Sequence, residues 1–125
     1  MSVPSTEFLN VQVIARASID PLSGLTNYDV SFVPPAVRAR SRDAVVNYQL
    51  IWPSTPGMQF VSMTVEPAGQ DQFSAASVAL DGQVMTFSDA NTRALVLEVS
   101  ILFADPDGVQ FLVDPQVINR PPAPR

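Results

Sequence analysis

The chain has 125 residues, 46% of them hydrophobic and 15% charged, with seven basic against twelve acidic residues and a formal net charge of −5. This fits one domain that buries a core without disulfides or metal. It excludes a disordered chain and is poorly suited to nucleic acid, whose binding rests on neutralising phosphates. All basic residues are arginine; without lysine, histidine or cysteine the chain has no Ser–His or Cys–His nucleophile, no Schiff base and no Cys- or His-ligated zinc, so carboxyl groups must carry any proton transfer near neutral pH.

In chain order, residues 7–18 (EFLNVQVIARAS) place Leu9, Val11, Val13, Ala15 and Ala17 on one face and read as a half-buried strand. Residues 20–24 supply turn chemistry. Residues 28–32 form a short strand stopped by Pro34 and Pro35, and residues 36–42 (AVRARSR) fit either an exposed strand or an extended loop. Residues 45–52 put Val46, Tyr48, Leu50 and Trp52 on one side, and residues 53–57 break that strand before the next, residues 58–66. Asp81-Gly82, between strands over residues 77–80 and 83–87, predicts a hairpin with a type I′ turn. Residues 94–103 then carry the longest apolar alternation, Leu95, Leu97, Val99, Ile101 and Phe103, which marks a central strand. Residues 104–108 turn the chain, residues 109–113 return as a strand, and Asp114-Pro115 ends it because proline cannot donate to a ladder.

About eight strands with turn signals roughly every ten residues predict an all-β protein, an antiparallel β-sandwich. Residues 1–125 form a single domain, with residues 115–125 as a Pro-rich C-terminal extension. No run is long and apolar enough for a membrane helix, and MSVPSTEF lacks the basic and apolar regions of a signal peptide, so the expected location is the cytoplasm. Arg38, Arg40 and Arg42 read as a solvated face. Lysine commonly guards sheet edges; without it, an edge paired with a second copy predicts a homo-oligomer.

The chemistry-bearing candidates are the acid-proline pairs Glu66-Pro67, Asp105-Pro106 and Asp114-Pro115, with Asp20-Pro21 as a fourth. Each serves as strand-end punctuation. Two such acids brought together can share a proton, one activating water while the other protonates a leaving group. Asp105-Pro106-Asp107-Gly108 resembles part of a calcium loop, but the distal oxygen ligands are missing from VQFLV, so no metal is expected. Glu98, alone in an apolar strand, points to solvent or an interface.

VDPQVINRP, with Asp114-Pro115 and its Pro-rich end, preceded by VEP at Glu66-Pro67, resembles the DP-EP family of small bacterial proteins across the whole chain. The resemblance implies a β-sandwich and an aspartic-peptidase-like activity, without a cofactor, whose substrate is the protein's own C-terminal segment. It implies Asp114 and Glu66 as motif acids, Asp105 as a nearby acid, and Gln116, Val117, Ile118 and Asn119 as the region cut. The Asp-Thr-Gly and Asp-Ser-Gly signatures of aspartic proteases are absent. The competing expectation is a non-enzymatic binding or assembly module in which acid-proline pairs only end strands.

Overall fold

Alternation makes β1 (Phe8–Ile19) a strand with Val11, Val13 and Ala15 buried and its other face wet, and the same rule builds the rest of the protein. A computed structural model describes residues 6–122, with ten strands and no helix among them. After β1 come β2 (Thr26–Val33), β3 (Ala36–Ala39), β4 (Ala44–Leu50), β5 (Gln59–Glu66), β6 (Ser77–Val78), β7 (Val84–Asp89), β8 (Leu95–Ala104), β9 (Gln110–Val113) and β10 (Gln116–Asn119). The protein is therefore all-β. No helix of the described residues is long and apolar enough to cross a membrane.

One sheet has the order β2-β1-β4-β7-β6, the other β3-β10-β8-β5 with β9 also on β8. Both sheets are mixed rather than purely antiparallel, since β1–β4 and β3–β10 are parallel pairs. The inner faces enclose one core, with Val46, Tyr48, Met85 and Phe87 from the first sheet meeting Phe60, Val99, Ile101, Phe103 and Val117 from the second. As expected, β8 is the central strand of its sheet, and Leu97, Val99, Ile101 and Phe103 are fully buried, with Leu95 half-buried at its start.

Ten strands replace the eight expected, because residues 36–39 form a strand (β3) and residues 116–119 form another (β10). Asp114-Pro115 ends the returning strand at Val113, as expected, but the chain does not leave the sheet there. Val113 lies opposite Ile101 and Gln116 opposite Glu98, so β9 and β10 keep one register along β8 with no residue inserted. Pro115 only removes one donor; its carbonyl still accepts from Val99 N–H at 2.9 Å. The C-terminal segment therefore runs inside the sheet before leaving at Arg120, and residues 123–125 of the Pro-rich end lie outside the described residues.

Two local expectations are corrected. Trp52 does not join the inward face of β4, because the strand stops at Leu50, and the ring is 84% exposed. The turn at Asp81-Gly82 is not type I′, which needs positive φ at both central residues: only Gly82 has it, at 72°. Gly82 N–H bonds back to Ala79 C=O while Gly82 C=O accepts from Phe60 N–H, so a longer loop is tied to β5.

Candidate functional site

Because side chains alternate across a strand, the even-numbered residues of β8 and of the β9–β10 run face outward from the second sheet. The register then sets side chains in rows. Glu66 of β5 lies opposite Glu98 of β8, which lies opposite Gln116 of β10. In the next row, Thr64 lies opposite Ser100, and the unbroken register puts Asp114 on the other side of Ser100. All of these but Ser100 are exposed. Directly opposite residues have Cβ atoms about 4.5–5.5 Å apart and diagonal ones about 7–8 Å. The fold therefore brings Glu66 and Glu98 side by side, with Asp114 on the diagonal from Glu98.

Like charges facing each other across a ladder repel. Among the described residues no arginine forms an ion pair with this row, and the ion pair there is Arg93–Asp71, at 2.8 Å. Glu98 is the residue that sequence reasoning missed. The signal was present: in a hairpin folded about Asp107, residues 98 and 116 are equally distant from the turn and must face each other. Glu66 could not be placed that way, since the β5–β8 pairing is long-range and carries a register shift between Phe60 and Ser62.

The backbone at Asp114-Pro115 is also unusual. In an antiparallel ladder, residues alternate between facing their partner strand and facing away. Val99 and Pro115 share a ladder bond, so Asp114 points its own N–H and C=O away from β8. On that side β3 begins only at Ala36, opposite Gln116. The Asp114 carbonyl therefore has no strand beside it. Gln116, Val117, Ile118 and Asn119, by contrast, are laddered to both β8 and β3.

Asp105 stands apart from this face. It follows the far end of β8, seven residues beyond Glu98, or roughly 23 Å along an extended strand. Its buried carboxylate holds the β8–β9 turn. Asp107 and Val109 N–H each donate to Oδ1 at 2.9 Å, and Tyr28 O–H donates to Oδ2 at 2.6 Å. The Tyr28 bond is the main reason the Asp105 carboxyl is held below its usual range, and the same bond pushes Tyr28 up to about 12.

Asn119, the last of the residues implied as the cut region, is anchored from the opposite face. Its Nδ2 donates to Asp89 Oδ1 at 3.0 Å and to Gln72 Oε1 at 3.2 Å, within a fully buried cluster. Burial pushes the Asp89 carboxyl up, and the bonds from Asn119 and from Asn91 N–H partly offset this. Arg38, Arg40 and Arg42 are exposed, as expected. The backbone N–H groups of Arg40 and Ser41 both donate to Glu7 Oε1, which fixes that turn.

No curated protein matches the chain. The family comparison does match: residues 5–121 fit the DP-EP family, nearly the whole length, with Glu66-Pro67 and Asp114-Pro115 inside the matched span. The chain belongs to the DP-EP family.

Proposed function

We propose that this protein is aspartic-peptidase-like and cuts its own chain where the C-terminal strand enters the sheet, using Glu66, Glu98 and Asp114. The observation that carries the reading is the row itself, which sets Glu66 opposite Glu98 with Asp114 diagonal to Glu98. Peptide planes in a sheet lie near the plane of the sheet, so a carbonyl carbon is attacked from above or below. Water held by Glu98 on the outer face approaches from that direction. It adds to the Asp114 carbonyl carbon as its proton passes to Glu98. The bond to Pro115 then breaks, with the proline nitrogen taking a proton from a carboxyl of the group. Within Gln116–Asn119 every residue is laddered on two sides, so the bond just upstream, Asp114–Pro115, is the better substrate.

The intact mass of purified protein held between mildly acid and neutral pH tests this. A carboxyl pair working as acid and base gives a bell-shaped pH dependence, whereas spontaneous hydrolysis of an Asp-Pro bond accelerates steadily as pH falls. Glu66→Gln and Glu98→Gln keep shape and remove one acid each, so both should abolish the cut. Cleavage of both variants at the parent's bond and rate sinks the reading. The exposure of Glu66, Glu98 and Asp114 favours the second reading, a non-enzymatic binding or assembly module whose acids face solvent or a partner.

A further inference from the structure

We infer that the outer edge of β5 is a strand-addition site for an extended peptide that is apolar at alternate positions and basic at one end. The inference needs no carboxyl group to react and so stands independently of the self-cleavage reading.

Backbone accounting carries it. Odd-numbered residues of β8 face the β9–β10 run, as the Val99 to Pro115 bond shows, so Glu98, Ser100 and Leu102 face β5. Their partners Glu66, Thr64 and Ser62 spend their ladder groups on β8. Met63 and Val65 therefore point N–H and C=O to the opposite edge, where neither has a backbone partner among the described residues. The alternation is confirmed at the near end: Phe60, before the register shift, turns its N–H outward and donates to Gly82 C=O at 2.8 Å. Beyond that point the edge is open, and Ser62–Glu66 carries no proline or lysine to guard it.

Beside this edge lies a groove of about 460 Å³, walled on the other side by Phe73, Ala76 and Val78. That wall belongs to the first sheet, because Phe73 bridges to Asp89 and Ser74 N–H donates to Ser88 C=O. The groove is thus a slot between the edges of the two sheets, and the five residues Ser62–Glu66 span roughly 17 Å of strand. The unsatisfied groups are ladder donors and acceptors, and another extended backbone is what satisfies them. Alternation gives the guest one row of side chains against Phe73, Ala76 and Val78 and another beside Ser62 and Thr64, with Glu66 at one end. An acidic guest would be repelled by the Glu66–Glu98 row, whereas an arginine landing beside Glu66 is favoured.

Three peptides test the assignment on isotope-labelled protein followed by NMR: acetyl-TVTVTR-amide, and two versions N-methylated at alternating residues, one on each backbone edge. Strand addition predicts that the unmodified peptide shifts and protects the Met63 and Val65 amides. One methylated version should bind as well as the parent peptide, and the other at least about tenfold more weakly, since its bonds to β5 are lost. Equal binding of both methylated versions, shifts confined to other edges, or no binding at all overturns the inference. Protection of Met63 and Val65 without peptide that disappears on dilution also overturns it, by giving the edge to a second copy of the chain.

Discussion

Asp89→Asn should stabilise this protein, and more so at neutral than at acid pH. Asp89 is fully buried at the end of β7. Its Oδ1 accepts from Asn119 Nδ2 and Asn91 N–H, each at 3.0 Å, but its Oδ2 is a buried atom without a partner, as are Asn91 Oδ1 and Asn119 Oδ1. The cluster therefore holds three acceptors and no donor to share among them. The charges around it give no help: Glu7 raises the Asp89 pKa further, and Arg93 is engaged by Asp71. An asparagine keeps Oδ1 and replaces Oδ2 with an uncharged amide nitrogen carrying two N–H donors, in a cluster whose idle groups are all acceptors. At about 1 kcal/mol per bond gained, this gives a stabilisation of about 2 kcal/mol, or roughly 6–10 °C in Tm for a domain of this size.

The pH dependence has a fixed sign. Burial raises the folded-state pKa of Asp89 above its ordinary 3.8, so its contribution is intact below that value and is lost as pH rises through the folded pKa. The asparagine variant has no such loss, and the Tm difference between variant and parent should widen from acid to neutral pH. Thermal melts of both proteins across that range are the assay. A variant less stable than the parent at every pH, or a difference that does not change with pH, refutes the reasoning.

Three further substitutions read other parts of the fold. Val99→Asp puts an unpaired charge between the sheets at a fully buried position and should cost about 4 kcal/mol or more, enough for circular dichroism to show an unfolded chain. Gly82→Ala sets a Cβ 2.7 Å from Gln59 Cβ at a φ of 72°, whereas Gly108→Ala meets nothing within 4 Å; urea midpoints should show a cost of about 3 kcal/mol for the first and about 1 kcal/mol for the second. Tyr28→Phe removes the main bond that depresses Asp105. Asp105 stabilises the parent above its ordinary pKa and loses that contribution as pH falls through the lowered folded value, so the acid decline of Tm that it contributes should be smaller in the variant and should level off at higher pH.

Strands were legible wherever apolar alternation is strict, as in residues 94–103, because burying one face leaves a single register. The carboxyl row was only half legible. Glu98 and Gln116 follow from counting outward from the Asp107 turn, but Glu66 reaches them through a pairing between residues more than thirty apart. Asp105 illustrates the opposite problem. Its sequence neighbourhood marks an acid-proline pair like the others, and only the Tyr28 bond, 77 residues away in sequence, shows that its carboxylate holds a turn. β10 was hidden by Pro115, which signals a strand end locally although the flanking pairings on β8 carry the chain straight through it.

The places where this sequence breaks the rules of sheet building lie together. Two glutamates face each other across β5 and β8, which repels where most other pairs would attract. A proline lies in line with β10, a strand enclosed by β8 and β3, where it forfeits a ladder bond. One strand away, β5 leaves the outward groups of Met63 and Val65 unpaired. Each departure lowers stability and none is needed to close the core, which is filled by residues on the opposite face of the same strands. When local choices agree with the fold elsewhere, a cluster of disagreements marks where a protein has been shaped by something other than folding. Here it covers the two rows from Glu66 to Gln116 and from Thr64 to Asp114, and that coincidence is the physical ground on which both the carboxyl chemistry and the peptide slot are proposed for this part of the second sheet.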